Sequence, residues 1–221
     1  MQHADEFGVA RQAMVDAQLR RRGIRDESVL AAMNKVRREE FVPLDFRSRA
    51  YEDAPLPIGE GQTISQPYIV AAMTAALRLR GGERVLEVGA GCGYQAAILG
   101  CLAREVFTIE YRPELATGTA ARLARLEYVN VHVHCGDGTM GLAELAPFDA
   151  ILVAAGAPAI PEPLLKQLAE GGTMVAPVGD ADSQELQLVQ RRNGEIRVTT
   201  LEGCRFVPLV GRYGWKESSS R

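Results

Sequence analysis

A glycine-rich segment between an apolar strand and a helix is the clearest sign of chemistry in the sequence. Residues 85–94 read Val-Leu-Glu-Val-Gly-Ala-Gly-Cys-Gly-Tyr. An apolar strand that leads through glycines into a helix lies at the carboxyl edge of a parallel sheet, where such folds bind nucleotides. The segment therefore predicts a loop whose backbone closely approaches a nucleotide-like ligand.

The spacing of the glycines distinguishes between kinds of ligand. The dinucleotide fingerprint G-x-G-x-x-G needs a small residue at position 94, but Tyr94 is there and Gly93 comes one residue early. The Lys and Ser/Thr pair of a Walker phosphate loop is also missing. The G-x-G-x-G spacing after an acidic strand residue instead resembles the S-adenosylmethionine loop of class I methyltransferases. The simpler alternative is a tight glycine turn that binds nothing.

Acidic residues near the ends of three successive strands favour the cofactor interpretation. Glu87 would attract the ammonium end of the cofactor, directly or through water, and Glu110 lies about 20 residues after the glycines, where a carboxylate can bind ribose hydroxyls. Asp137 could accept a hydrogen bond from an adenine amino group, although Asp-Gly is also a common turn. The predicted cofactor-binding residues are Glu87, Gly89, Gly91, Gly93, Glu110, Asp137 and Gly138.

Other candidates for chemistry are weaker. His132 and His134 alternate along a strand and share a face, but Cys135 points to the opposite face and no third ligand has suitable spacing. We therefore expect a solvated strand face and no metal. Residues 154–158, Ala-Ala-Gly-Ala-Pro, lack the Asn/Asp-Pro-Pro-Tyr box of N-methyltransferases and the Pro-Cys nucleophile used on cytosine. The methyl acceptor must therefore need little activation.

The composition excludes several further classes of function. The chain has 221 residues, of which 47% are hydrophobic, and a formal net charge of −3. It lacks the positive field that attracts a phosphate backbone, so we expect no nucleic-acid partner. Its apolar stretches are shorter than the roughly 20 residues that span a bilayer, and its polar start lacks the apolar run of a signal peptide. We expect a cytoplasmic protein without a membrane partner, whose reduced, buried thiols are Cys92, Cys101, Cys135 and Cys204.

Alternating strand and helix patterns after residue 82 place the candidate residues on one sheet. Strands are predicted at 84–88, 105–110, 131–135, 148–154 and 172–177, and helices at 94–104, 113–126 and 163–170. Two antiparallel strands, 185–192 and 196–201, follow around an Asn193-Gly194 turn. The predicted fold class is α/β, a doubly wound, mostly parallel Rossmann-like class I methyltransferase sheet with an N-terminal helical extension and an antiparallel edge hairpin.

We expect the chain to form a single domain of 221 residues. Its parts are N-terminal helices and a substrate loop (1–80), the S-adenosylmethionine-binding core (81–180), C-terminal strands (181–215) and a disordered tail (216–221). In the N-terminal part, Gly23 should end the first helix and Asp26 should cap the second. Residues 54–67 are rich in Pro and Gly and predict a long loop, which is often functional. A helix should begin at Pro67.

Segments outside the glycine loop resemble the protein-L-isoaspartate (D-aspartate) O-methyltransferase family. The resemblance covers residues 11–214. It is strongest in Gln62-Thr63-Ile64-Ser65-Gln66-Pro67, and it includes Arg22-Gly23-Ile24, Glu40-Phe41-Val42-Pro43 and Arg205-Phe206-Val207-Pro208-Leu209. One small departure is Arg37, where the family more often has a proline.

The resemblance implies an enzyme that methylates the free α-carboxylate of L-isoaspartyl residues in damaged proteins and peptides. It uses S-adenosyl-L-methionine without a metal and releases S-adenosyl-L-homocysteine; whether D-aspartyl residues also react stays open. The ester then collapses to a succinimide, which hydrolyses in part to normal aspartate. The chemistry agrees, because a carboxylate with an ordinary pKa of about 4 is already ionised and needs no general base. Alignment with the methyl–sulfur bond is then the main task.

The resemblance also assigns roles to loop residues. The position of Ser65 is the catalytic one, where a hydroxyl can hold the attacking carboxylate; the alternative is that Ser65 merely caps the helix at Pro67. Gln62, Thr63 and Ile64 would shape the substrate pocket, and Val207 would meet the peptide backbone unless it is only a buried strand residue. We expect a monomer. Rival hypotheses are a methyltransferase for a small acid or hydroxyl compound and a cofactor-binding module without turnover.

Overall fold

The computed structural model describes residues 7–216, which form a seven-stranded sheet, a separate two-stranded hairpin and six α-helices. The N-terminal part contains the hairpin strands and three of the helices. Helical segments then separate the next five strands, and the last three strands of the chain follow one another directly. The helices are α1 (Gly8–Ala13), α2 (Glu27–Lys35), α3 (Pro67–Leu77), α4 (Tyr94–Gly100), α5 (Pro113–Arg125) and α6 (Glu162–Gln167). The strands are β1 (Leu56–Gly59), β2 (Gln62–Ile64), β3 (Arg84–Val88), β4 (Glu105–Glu110), β5 (Val131–Cys135), β6 (Phe148–Val153), β7 (Leu168–Gly179), β8 (Gln184–Arg192) and β9 (Glu195–Cys204).

The order of the large sheet is β5-β4-β3-β6-β7-β8-β9. The pairs from β5 to β7 are parallel, and β8 and β9 add antiparallel strands at one edge, which confirms the predicted fold class. The inner strands β3 and β6 are almost wholly buried, as expected for parallel strands covered on both faces. The chain runs outward from β3 to β5 and then returns to β6. The resulting reversal creates a crevice at the carboxyl ends of these strands.

The N-terminal extension is helical and packs on the α4 side of the sheet. After α1 the helix continues as a π-helical segment, Met14–Arg20, and it ends before Gly23, whose φ is 97°. Asp26 caps α2 as predicted, because its side chain accepts hydrogen bonds from the amides of Ser28 and Val29. Apolar side chains of this extension share a core with those of α4, so the extension forms one of the layers around the sheet.

Three local predictions from the sequence are wrong. Residues 54–67 are not an unstructured loop, because β1 and β2 form a hairpin that turns at Glu60 and Gly61, both with positive φ. The helix expected at 163–170 ends at Gln167, since Leu168 already pairs with Phe148 and opens β7. The helix expected at 94–104 forms α4, which ends at Gly100. Proline and glycine frequencies do not reveal the short hairpin, and the pairing of Leu168 with Phe148 joins residues that are distant in sequence.

The cysteines and histidines also differ in part from expectation. All four cysteines are free, but only Cys92 is buried, and Cys135 on the edge strand β5 is exposed. His132 is 44% exposed, as expected for a solvated face, and its ring stacks on Phe107 at 5.2 Å between ring centroids. The predicted disordered tail lies outside the described residues, apart from Lys216. No helix within residues 7–216 is long and apolar enough to cross a membrane.

Candidate cofactor and substrate site

A cleft at the crevice between the carboxyl ends of the parallel strands brings most of the predicted site residues together. It encloses about 930 Å³, including space that is open to solvent. Its lining includes the glycine loop, Glu110, the β2 segment and residues 206–210, here called the C-terminal strip. The predicted residues that line the cleft are Gln62, Thr63, Ile64, Ser65, Gly89, Gly91, Glu110, Gly138 and Val207.

The glycine loop is held in a conformation that favours glycine. Gly89, Gly91 and Gly93 have φ values of 95°, 52° and 88°, in the region that other residues adopt only at a cost. Two side chains of α5 fix the loop: Thr119 Oγ1 donates to the Gly91 carbonyl at 2.6 Å, and Arg122 Nη1 donates to the Cys92 carbonyl at 2.9 Å. The loop is therefore preorganised for close approach of a ligand.

Glu110 combines two tasks at the end of β4. Its Oε2 atom accepts a hydrogen bond from the Gly91 amide at 2.8 Å, and its Oε1 atom accepts one from the Arg112 amide at 3.0 Å. A carboxylate has about four lone-pair sites, so two remain for a ligand in the cleft. The position agrees with the predicted contact to ribose hydroxyls.

Glu87 lies in the protein interior and is not among the residues that line the cleft. Its side chain on β3 is fully buried, and neither carboxylate oxygen has a hydrogen bond of normal geometry within the described residues. Burial raises the pKa of Glu87 to about 8, the Glu110 charge adds to this, and Thr108 on β4 offsets only part of it. An unpaired buried carboxyl near a ligand loop is a candidate for a cationic partner.

Asp137 and Gly138 follow β5 as predicted, but they face different neighbours. Gly138 lines the cleft and packs so closely on Val88 that a Cβ would not fit. The Asp137 carboxylate accepts hydrogen bonds from the Thr139 amide and hydroxyl and from the Arg212 amide. Three of its lone-pair sites are therefore used, and Asp137 is not among the residues that line the cleft, so its contact with adenine stays a prediction.

Ser65 opens towards the cleft and does not cap α3. The N-cap residue is Gln66, which makes no side-chain capping hydrogen bond, and Pro67 supplies the first turn. Within the described residues, the Ser65 hydroxyl has no hydrogen-bond partner. The capping alternative raised by the sequence is therefore wrong, and the hydroxyl is available to a ligand.

The C-terminal strip lies beside the end of β6 like a short extra strand. The Gly156 amide donates to the Val207 carbonyl at 2.8 Å, and the Leu209 amide donates to the Gly156 carbonyl at 2.8 Å. Gln184, which is buried on β8, accepts a hydrogen bond from the Phe206 amide at 2.8 Å. The backbone of the strip is thus fixed in the lining of the cleft.

Sequence reasoning missed several residues that line the cleft, and the predicted Gly93 lies outside its lining, as the N-cap of α4. Tyr111 and Arg112 follow Glu110 directly, so the strand end itself was a signal for them. Others carry no local signal: Met73 and Gln95 come from helix faces, and Ala154 and Ala155 follow the end of β6.

The donor set fits S-adenosylmethionine better than a metal or a dinucleotide. The glycine cradle suits a ligand chain that lies against the backbone, and the free lone pairs of Glu110 suit ribose hydroxyls. The unpaired carboxyl of Glu87 is buried outside the lining and would reach an ammonium group only through water. Tyr94 is buried in the place where a dinucleotide site needs a small residue. Among residues 7–216, no three His, Cys, Asp or Glu side chains are grouped as a metal site.

Comparison with known proteins agrees with this geometry. Residues 10–214 match the family model described as protein-L-isoaspartate(D-aspartate) O-methyltransferase. Protein-L-isoaspartate O-methyltransferase of Koribacter versatilis is 54% identical over 209 residues, which are 95% of this chain and 94% of the relative. The enzyme of Methanoculleus marisnigri is 51% identical over 96% of this chain and 97% of its own length.

Two solved structures are similar over most of the chain. One is a protein-L-isoaspartate O-methyltransferase with a TM-score of 0.83 and 30% identity, covering 92% of this chain and 67% of that one. The other, from Plasmodium falciparum, is described as a candidate enzyme of the same kind in complex with S-adenosyl-L-homocysteine. Its TM-score is 0.79 at 27% identity, and the match covers 90% of this chain and 98% of that one.

Proposed function

The chain belongs to the protein-L-isoaspartate (D-aspartate) O-methyltransferase family, whose members esterify isoaspartyl residues with S-adenosylmethionine, and we propose that this reaction takes place in the cleft described above. The observation that carries the proposal is the position of Ser65. Its unpaired hydroxyl lines the same cleft as Gly89 and Glu110, so methyl donor and carboxylate acceptor can meet there.

The glycine-loop side of the cleft would bind the methyl donor. Glu110 would hold the ribose hydroxyls, and Glu87, which is buried outside the lining of the cleft, would attract the ammonium group through water. Gly89, Gly91 and Gly93 would let the chain of the donor lie against the backbone, and Gly138 with Asp137 would border the adenine. The support is the conformation of the loop and the unpaired state of Glu87.

The opposite side of the cleft would bind the isoaspartyl peptide. Ser65 would donate a hydrogen bond to one carboxylate oxygen and so orient the other towards the methyl group. Gln62, Thr63 and Ile64 would form the wall of this pocket, and Val207 would lie against the peptide backbone. Their place in the lining of one cleft supports these roles.

The reaction needs alignment more than activation. S-adenosylmethionine supplies a methyl group on a positively charged sulfur. An α-carboxylate has an ordinary pKa of about 4, so its oxygen attacks without a general base, and the electrons of the carbon–sulfur bond pass to sulfur. The apolar residues Met73 and Phe206 line the cleft and would exclude water from the reacting oxygen. The methyl ester then initiates repair through a succinimide.

The decisive assay uses two peptides that differ only in one aspartyl or isoaspartyl linkage, with radiolabelled S-adenosylmethionine. We expect label in the isoaspartyl peptide only. Equal labelling of a small carboxylic acid would instead favour the rival small-molecule methyltransferase. Binding of S-adenosylhomocysteine without turnover on either peptide would favour a binding module.

Three properties of the whole molecule complete the proposal. The chain would act as a single domain, with its N-terminal helices sharing a core with α4. It would be a monomer, which leaves the cleft open to varied protein substrates, and sedimentation analysis tests this. It would work in the cytoplasm, since all four of its cysteines are free, as expected in a reducing compartment.

A further inference from the structure

Thr139 and Asp137, on either side of the cleft-lining Gly138, bind the backbone of residues 212 and 213. The Oδ2 atom of Asp137 accepts a hydrogen bond from the Arg212 amide at 2.8 Å, and the Oγ1 atom of Thr139 accepts one from the Tyr213 amide at 3.1 Å. The Thr139 hydroxyl in turn donates to Asp137 Oδ1 at 2.6 Å. Two side chains of one turn thus hold two consecutive amides of a distant segment.

The segment that they hold folds back on the C-terminal strip. The Trp215 amide donates to the Leu209 carbonyl at 2.7 Å, and the Trp215 indole Nε1 donates to the Gly156 carbonyl at 3.0 Å. Gly156 is also the residue that fixes Val207. A shift of residues 212 and 213 would therefore move the strip against which the peptide is proposed to lie.

The close approach of the two segments is a specific feature of their sequences. Gly211 lies so near the Asp137 carboxylate that a Cβ on Gly211 would overlap it. Thr139 is fully buried, so water cannot replace its hydroxyl in the hydrogen bond to Tyr213. Between Asp137 and Thr139, Gly138 presents its backbone to the cleft. One short turn thus faces the cofactor and supports the peptide-binding strip.

We propose that Thr139, acting with Asp137, is a positioning residue for the methyl acceptor: it sets the place of the C-terminal strip from the cofactor side of the cleft. This inference rests on the proposed function. A purely structural role for Thr139 would lower stability without separating peptide binding from cofactor binding. If Thr139 acted at the adenine, its substitution would weaken the binding of the cofactor by the same factor as the binding of the peptide.

The test compares Thr139→Val, which keeps the shape and removes the hydroxyl, with Thr139→Ser, which keeps the hydroxyl. Thr199→Val on the exposed face of β9 is the matched control. In Thr139→Val we expect the KM for an isoaspartyl peptide to rise at least about fivefold, while the Kd for S-adenosylhomocysteine changes less than about twofold. Thr139→Ser and Thr199→Val should stay near wild type in both constants.

An unchanged peptide KM in folded Thr139→Val would overturn the proposal, and so would a rise in KM and Kd by equal factors. If Thr139→Val does not fold, Gly211→Ala perturbs the same contact from the other segment and should show the same separation of the two constants.

Amide hydrogen exchange tests the connection between the turn and the strip without relying on the proposed function. If the wild-type protein methylates no isoaspartyl peptide, the proposed function fails, but the amides of residues 209, 212 and 213 still report on the connection. Faster exchange of all three in Thr139→Val supports the connection between the turn and the strip. Unchanged exchange at residue 209 would refute it.

Discussion

The Oε2 atom of Glu110 lies 2.8 Å from the amide nitrogen of Gly91, so the acid that ends β4 also holds the glycine loop that follows β3. Its other oxygen holds the Arg112 amide. The geometry of the loop and the proposed binding of the ribose hydroxyls therefore depend on the same carboxylate. A substitution at Glu110 should therefore change both ligand affinity and the stability of the loop.

Glu110→Ala should weaken the binding of S-adenosylhomocysteine by about 1–3 kcal/mol, because charge-assisted hydrogen bonds to the ligand are lost. It should also lower the melting temperature, since two backbone amides lose their partner. Titration calorimetry and thermal melts measure the two effects. Glu144→Gln, at an exposed acid, serves as the control. Wild-type affinity in folded Glu110→Ala would remove Glu110 from the site.

Ser65→Ala should reduce methyl-ester formation on an isoaspartyl peptide by about 10²-fold or more, the typical effect of losing one donor to an anionic oxygen. Stability should change by less than about 0.5 kcal/mol, because Ser65 makes no helix cap. Ser65→Thr keeps the hydroxyl and should retain part of the activity, and Ser65→Asp should be the least active. Near-normal turnover in Ser65→Ala would show that the hydroxyl does not orient the substrate.

Glu87 should make stability depend on pH. Its pKa is raised from 4.5 to about 8 in the folded protein, so between these values the unfolded chain has lost a proton that the folded chain keeps. Its contribution to the free energy of unfolding therefore falls as pH rises from about 4.5 to 8. Glu87→Gln should remove this slope, which urea denaturation at several pH values measures.

The same group should couple cofactor binding to protons. A cationic ammonium partner needs the Glu87 carboxylate ionised, so the affinity for S-adenosylhomocysteine should increase as pH approaches 8. Calorimetry in buffers of different ionisation enthalpy would detect the released proton. Identical pH profiles for wild type and Glu87→Gln, in both stability and affinity, would contradict the assignment.

Gln184→Ala should destabilise the protein by about 2 kcal/mol, because it leaves the buried Phe206 amide without a partner. The same change should raise the KM for the peptide, since Phe206 begins the C-terminal strip. Gln187→Ala, at a half-buried position on the same strand, controls for the loss of a glutamine from β8. Equal stabilities for the two variants would show that the Gln184–Phe206 hydrogen bond contributes little.

The sequence predicted the parallel core well because its signals there are local. The apolar run of β3, the glycines and the acid that ends β4 each identify themselves, and the alternation of strands and helices brings them to one edge. The hairpin of β1 and β2 was not predicted, because a segment rich in proline and glycine is typical of a loop even where two short strands pair. The early start of β7 depends on the pairing of Leu168 with Phe148, which no local pattern encodes.

The roles of the acids were harder to predict than their positions. Asp137 was expected near adenine, but its carboxylate already binds the amide of Arg212, far along the chain. The helix-capping alternative for Ser65 failed because the chain enters α3 one residue later, at Gln66. Such details depend on tertiary contacts, which a single sequence does not show.

The outermost strand of the sheet has a consequence for storage of the protein at high concentration. One edge of β9 pairs with β8, and no strand within residues 7–216 pairs with the other edge, where Ile196, Val198 and Leu201 are 37%, 51% and 43% exposed. Free edges of this kind can template the addition of further strands from other copies. Charged neighbours such as Arg197 interrupt the apolar side chains and oppose such stacking. Neutralising these charges would therefore promote fibrous aggregation of an enzyme that is otherwise intact.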